Sequence, residues 1–237
     1  MPSIAVGSND NIHVVRDDGI SGNREIFYQK STNGGVTWIT KRLTWTSGHS
    51  SVPDITIDSN NHIHVVWQDD TPGKDEIYYK KSTNGGTSWT TKRLTHNAGG
   101  SRTPAVAADS NNHVHVVWYD DSSGNWEIYY KKSTDGGASW ATKRLTWNFV
   151  VSWLPDITVD SSDNIHVVLQ SDLPGSYDIY YKRSTDSGST WASKRLTWIP
   201  GNSWFPAIAL GPNNHIHVVW REDSRGNPEI YYKKGIQ

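Results

Sequence analysis

Residues 80–95 read KKSTNGGTSWTTKRLT and residues 131–146 read KKSTDGGASWATKRLT, and 13 of the 16 positions agree. The offset between them is 51 residues, and the same step holds outward along the whole chain. It relates His13, His64, His115, His166 and His217, each inside an Ile/Val-His-Val-Val run. It also relates Pro2, Pro53, Pro104, Pro155 and Pro206, with no insertion or deletion. A fixed period of this length is the mark of one structural unit copied in tandem.

Within the unit the hydrophobic period is two rather than 3.6. Residues 53–59 read PDITIDS and turn at Asp58-Ser59-Asn60-Asn61; residues 62–69 read HIHVVWQD. EIYYKKS (76–82) precedes a Gly-rich turn, and TSWTTKRLTH (87–96) follows it. These are four short β-branched and aromatic strands separated by Asn, Asp, Gly and Pro, the usual breakers. Four strands in a repeat of 40–50 residues predict a β-propeller blade. The expected fold is therefore all-β: a five-bladed β-propeller forming a single domain over 1–237, with blades at about 2–52, 53–103, 104–154, 155–205 and 206–237. The last repeat stops after its third strand, so the fifth blade is expected to lack its outer strand. Its edge, carrying Lys233 and Lys234, is then open or is completed by another chain, giving a monomer or a dimer through that edge.

Composition narrows the function classes. The 237 residues carry 23 basic and 24 acidic side chains, a net charge of −1. That balance is not the basic excess that nucleic acid or an anionic membrane surface demands, so neither is expected as a partner. There is no cysteine, which excludes disulfides and thiolate metal sites. No apolar run approaches the ~20 residues of a membrane-spanning helix, and no signal peptide is visible. The aromatics are skewed: 13 Trp and 11 Tyr against 3 Phe.

Between the third and fourth strands the chain runs from Ser31 to Trp38, Ser82 to Trp89, Ser133 to Trp140 and Ser184 to Trp191. These segments resemble the Asp-box, or BNR repeat, of sialidases and related propellers, S-x-D-x-G-x-x-W. Asp135 and Asp186 keep the acidic position; Asn33 and Asn84 depart from it. The resemblance implies a structural turn away from any active site, and it leans towards an extracytoplasmic protein. It also implies a sialidase-like glycoside hydrolase as one functional alternative. That family holds its substrate carboxylate with three arginines, for which Arg16, Arg24, Arg102, Arg221 and Arg225 are the candidates. However, no F/Y-R-I-P motif is present, and sialidases normally have six blades.

Alternating strand direction sends the fourth-to-first and second-to-third loops to one face, here the top face. Those loops vary between repeats, while the opposite face is monotonous, and binding groups concentrate on loops held by a rigid scaffold. Three sets of candidate ligand-binding residues follow. Trp67, Trp118 and Trp220 end the second strand, where an indole could stack on a sugar ring or pack between blades; Arg16 and Leu169 share their slot. Asp70, Asp121 and Asp223, in the next loop, could accept sugar hydroxyls or cap a turn. Trp126, Trp153 and Trp204 lie outside the repeat pattern, on top-face loops near Phe149 and Phe205, and an exposed indole with no repeat obligation suggests a ligand or partner. The repeated histidines read as hydrogen-bonded packing. The acidic run at 69–76 lacks EF-hand spacing, so neither metal nor cofactor is expected. Glu25, Glu76, Glu127, Asp178 and Arg42, Arg93, Arg144, Arg195 suggest a cross-strand ion pair in each complete blade.

The functional expectation is a non-catalytic, lectin-like carbohydrate-binding propeller with repeated sites on the top face, its partner a glycan or another small polar ligand. The alternatives are the sialidase-like hydrolase, a protein-interaction scaffold, or a fragment of a larger secreted protein.

Overall fold

The computed structural model describes residues 1–20, 22–147, 150–173, 175–198, 201–223 and 226–235. Phe149 and Arg225 lie outside them. Among the described residues nineteen strands form five antiparallel sheets, each in sequence order from first strand to last. Blade 2 shows the pattern: Ser50–Ile57, Ile63–Asp69, Glu76–Ser82 and Thr90–Arg93. Blade 5 holds three strands, Ser203–Leu210, Ile216–Glu222 and Glu229–Lys234. Successive side chains of a strand point to opposite faces, and the second strands are buried almost continuously, as at Ile63–Asp69, because both faces of each inner sheet are covered by a neighbouring blade.

Each blade packs on the next through one hydrophobic cluster. Between blades 1 and 2, for example, Val15, Ile26, Tyr28 and Leu43 meet Ile55, Ile63, Val65 and Trp67. There are four such clusters among the described residues, and none joins blade 5 to blade 1. The ends of the arc are correspondingly bare. Ile4 is 64% exposed, whereas its counterparts Ile55, Val106, Ile157 and Ile208 are at most 9% exposed. Ile230 is 76% exposed, whereas Ile26, Ile77, Ile128 and Ile179 are fully buried.

The Ser-to-Trp turns join blades as well as strands. The Ser82 hydroxyl accepts the Gly86 N–H at 2.9 Å, the Asn84 side-chain Oδ1 accepts the Ser88 N–H at 2.9 Å, and the Trp89 indole N–H donates to the Gly86 backbone carbonyl at 3.1 Å. Trp89 then meets Tyr28 of the preceding blade edge-on, with centroids 5.2 Å apart. Trp140 and Tyr79, and Trp191 and Tyr130, repeat the contact.

Histidine is part of the same core. The Tyr79 hydroxyl lies 2.7 Å from His64 Nδ1, and His64 Nε2 lies 3.1 Å from an Asp58 carboxylate oxygen. With Nε2–H donating to the carboxylate, Nδ1 accepts from tyrosine, so the network assigns a neutral tautomer. Blades 3 and 4 repeat the chain through His115 and His166. No group of three or more residues suited to a metal ion occurs among the described residues. Each complete blade has its acid–arginine link as well: Arg42–Glu25 at 2.6 Å, Arg93–Glu76 at 2.8 Å, Arg144–Glu127 at 2.7 Å and Arg195–Asp178 at 2.6 Å.

The first strands of blades 2–5 begin three residues before the repeated proline and contain a bulge. Val52, Thr103, Leu154 and Phe205, each directly before that proline, have φ between +48° and +52°. A β-branched or bulky residue is strained there, and a proline inside a strand belongs at a bulge. The preceding blade steadies two of these bends: Gln68 Oε1 accepts the Thr103 N–H at 2.9 Å and Gln170 Oε1 accepts the Phe205 N–H at 3.4 Å.

Candidate functional site

Three positions in each repeat meet at the top of the blade, on adjacent strands. They are 17/68/119/170/221 on the second strand, 51/102/153/204 on the first, and 24/75/126/177/228 at the start of the third. Strand pairing sets Ser51 opposite Gln68, Trp153 opposite Gln170 and Trp204 opposite Arg221. These positions change chemistry from blade to blade while the residues beneath them repeat. Blade 1 places Arg24 beside Asp17 at 3.3 Å. Blade 2 places Gln68 against Asp75 at 3.3 Å, and Asp75 also pairs with Arg102 of blade 3 at 2.6 Å. From blade 3 onward the belt turns aromatic.

In blades 3–5 the belt encloses a hollow of about 400 Å³ lined by Tyr119, Trp153, Tyr177, Trp204, Arg221 and Gln170, with Leu154 and Phe205 at its inner side. Trp153 and Tyr177 lie 5.6 Å apart between centroids, and Tyr177 and Trp204 6.4 Å apart. Arg221 lies over the Trp204 ring at 5.0 Å, which fixes the indole by a cation–π contact. The Trp153 indole nitrogen is buried and has no hydrogen-bond partner. A buried N–H left unpaired is costly, and the same holds here for buried atoms of Glu76, Glu127 and Ser203. Apolar walls with a few convergent polar groups, at this volume, are the general character of a small-molecule site.

Leu154 and Phe205 also line an axial hollow of about 450 Å³ ringed by the repeated prolines. Asp54 and Asp156 face it. One oxygen of Asp54 accepts the Val106 N–H at 2.8 Å, and one of Asp156 accepts the Ile208 N–H at 2.8 Å. Each carboxylate therefore ties its own first strand to that of the next blade. Their surroundings are poor in water, so both pKa values rise; that of Asp156 reaches about 7, with the Asp54 charge adding to the effect of burial.

The candidates from sequence divide sharply. Trp153 and Trp204 line the hollow, and Trp126 abuts it through an edge contact with Tyr119 at 5.1 Å, under Arg102 at 5.2 Å. Trp67, Trp118 and Trp220 are corrected: they are 2%, 1% and 7% exposed and cannot stack on a ligand. They fill blade interfaces, and their indole N–H groups donate to Asp69, Asp120 and Glu222 at 3.0–3.4 Å. Asp70, Asp121 and Asp223 are corrected too. Each accepts a backbone N–H, from His49, Gly100 and Asn202 respectively, at 2.5–2.7 Å, and so pins the incoming loop. Arg16 is paired with Asp18, lies 5.2 Å from the Phe27 centroid, and is not among the residues lining the hollow. Its slot faces the bare start of the arc, where a charge stays hydrated.

Tyr119, Tyr177, Gln170 and Arg221 were not singled out as stacking or polar partners of this hollow. The signal was present in the repeat: aligned column by column, 17/68/119/170/221 reads Asp, Gln, Tyr, Gln, Arg. Trp45, Trp147 and Trp198 lie three residues beyond the outer strands and are 61–68% exposed, each beneath a cation, Arg42, Arg144 or Lys233.

No protein-family model matches the chain, and no curated protein matches it. Solved structures do. An α-L-arabinanase of Penicillium chrysogenum, complexed with arabinobiose, aligns at 13% identity over 97% of this chain and 79% of its own, with a TM-score of 0.72. An α-L-arabinofuranosidase of Fusarium graminearum aligns at 13% identity over 98% and 79%, with a TM-score of 0.71. A sialidase of Streptococcus pneumoniae aligns at 14% identity over 89% of this chain and 35% of its own, with a TM-score of 0.58. At these identities the likeness is one of fold: the chain is built as propeller proteins that act on carbohydrates are built.

Proposed function

We propose that the chain is a non-catalytic carbohydrate-binding propeller whose ligand, an oligosaccharide, sits in the hollow between Trp153, Tyr177 and Trp204. The observation that carries this is the aromatic hollow itself, built from the positions at which the repeat varies and lined by Trp153, Tyr177 and Trp204 with Gln170 and Arg221. Indole and phenol faces stack on the apolar face of a sugar ring, while Arg221 and Gln170 address hydroxyl or carboxylate oxygens. The neighbours that act on arabinan and on sialic acid support this ligand class. The Ser-to-Trp turns, read as Asp-boxes, act in construction rather than binding.

A second reading, a glycoside hydrolase, is favoured by one observation. Asp54 and Asp156 face the axial hollow that adjoins the aromatic pocket, and a carboxyl with a pKa of about 7 is poised for general-acid work. Against it, both carboxylates already bridge neighbouring blades.

Titration of tryptophan fluorescence with arabino-oligosaccharides and sialyl-oligosaccharides, alongside hydrolysis of chromogenic arabinosides and sialosides, separates the readings. Saturable binding without turnover supports the first. Turnover abolished by Asp156→Asn with binding retained would establish the second. No binding to either sugar class removes both.

A further inference from the structure

Every blade has one cross-strand pair at the slot where Arg16, Trp67, Trp118, Leu169 and Trp220 stand, and in four blades a flat group lies on a ring. Arg16 covers Phe27 at 5.2 Å. Trp67 lies on Tyr78, Trp118 on Tyr129 and Trp220 on Tyr231, at 5.7–6.1 Å and 22–24°. Two residues later each of these blades carries an acid, Asp18, Asp69, Asp120 or Glu222, which takes the hydrogen bond of that flat group.

Blade 4 has neither. Leu169 stands opposite Tyr180 and Ser171 opposite Asp178. Donor and acceptor have been lost together, as they must be: a buried acid without its donor, or a donor without its acid, is costly. The space is not refilled. A hollow of about 390 Å³ opens between blades 3 and 4, with Leu145, Leu169 and Trp191 in its base, Tyr180 in its wall, and Arg144 and Lys182 among its lining.

Two cations border this hollow. Arg144 is paired with Glu127 at 2.7 Å. The Lys182 ammonium donates to the Ser193 hydroxyl at 2.6 Å, a neutral partner, and burial holds its pKa below the usual lysine value. The acid that stands in this region of blades 2 and 3 is here Ser171, whose hydroxyl already meets Val151 O and Ser152 at 3.2 Å.

We propose that this hollow is a second ligand site, separate from the top-face pocket, for a planar aromatic ring carrying a carboxylate. The ring takes the place on Tyr180 that an indole takes in the neighbouring blades. The carboxylate lies towards Lys182, two residues along the strand from Tyr180, whose ammonium has a hydroxyl rather than an acid as its hydrogen-bond partner. Aromatic stacking contributes beyond its buried area, and a charge-assisted hydrogen bond to a partly dehydrated ammonium is among the stronger ones.

The test uses the whole chain and indole-3-acetate, with neutral indole as the comparison. Calorimetry should show saturable binding of about one indole-3-acetate per chain. The double substitution Leu169→Trp with Ser171→Asp rebuilds the arrangement of blades 2 and 3, and should weaken binding at least tenfold with an unchanged or higher thermal midpoint. Should that variant fail to fold, Leu169→Phe fills the slot with a ring alone and should weaken binding likewise. Lys182→Met should weaken indole-3-acetate at least threefold and leave indole unaffected. No saturable binding at millimolar ligand overturns the proposal. So does equal binding by the filled and unfilled proteins, or an equal effect of Lys182→Met on both ligands.

Discussion

Trp153 and Tyr177 stand 5.6 Å apart between ring centroids, and the Trp153 N–H is buried beside them with no partner. Both rings line the top-face hollow together with Trp204 rather than a blade interface. Trp153→Ala or Tyr177→Ala should therefore weaken oligosaccharide binding at least tenfold, about 1.4 kcal/mol or more, and lower the thermal midpoint by only a few degrees. Trp118→Ala should do the reverse, with a stability loss of about 3–5 kcal/mol. Fluorescence titration and thermal unfolding of the three variants check this; a stability loss at Trp153 as large as at Trp118 would place it in the core.

The turn glycines provide a control built into the repeat. Gly35 and Gly137 have φ of +90° and +96°, so alanine strains the backbone at both by about 1 kcal/mol. At Gly137 a methyl group would also lie 2.5 Å from the Tyr79 ring of the preceding blade, whereas at Gly35 its nearest neighbour is Trp38 at 3.8 Å. Gly137→Ala should cost about 1–3 kcal/mol more than Gly35→Ala in denaturant unfolding. Equal losses would show that the turn does not act as a joint between blades.

Two sets of groups pull stability in opposite directions below about pH 7. Burial lowers the pKa of His64, His115 and His166, and that of His13 falls to about 4. Their native state is neutral, so the unfolded chain binds protons first and stability falls as pH drops from about 6.5 towards 4. Asp156 is the opposite case. Its native pKa of about 7 exceeds its unfolded value, so its contribution is full below about pH 4 and is lost as pH rises through 7. Asp156 thus offsets part of the histidine slope between about pH 4 and 7, and Asp156→Asn should steepen the fall in stability from pH 6.5 to 5 while leaving the range above about pH 7.5 nearly unchanged. Thermal midpoints at pH 5, 6.5 and 8.5 measure both, and an unchanged slope between pH 5 and 6.5 would exclude this role for Asp156.

The bare ends of the arc predict unequal costs for equivalent residues. Ile128→Ala removes a fully buried side chain and should cost about 2–5 kcal/mol. Ile230→Ala, at the same repeat position but exposed, should stay within about 0.5 kcal/mol. Denaturant unfolding of the two variants decides; a large loss at Ile230 would mean that this face is covered in solution, by blade 1 or by a second chain.

The propeller was legible because a 51-residue period and a two-residue alternation leave few other architectures. EIYYKKS was legible to the residue, since its observed strand is Glu76–Ser82. The site was legible only in part. Trp153 and Trp204 stand out because they break the repeat, yet Tyr177 and Arg221 break it as well, and a lone tyrosine or arginine is too common to mark a site by itself. Trp67, Trp118 and Trp220 misled because an indole at a strand end looks the same in sequence whether it faces solvent or the next blade.

What the sequence determined by itself was the unit: which residues alternate, where the chain turns, and that the pattern recurs five times. These are local properties, set by side-chain shape and backbone conformation within a few residues. The tertiary structure alone decided which copies of a position are equivalent in environment. Ile4 and Ile55 have the same side chain at the same place in the repeat, but only Ile55 has a blade in front of it. Leu169 reads as a mild substitution until Tyr180 is seen without a stacked indole. Burial depends on what stands across the interface, and in a radial fold that neighbour lies some 51 residues away.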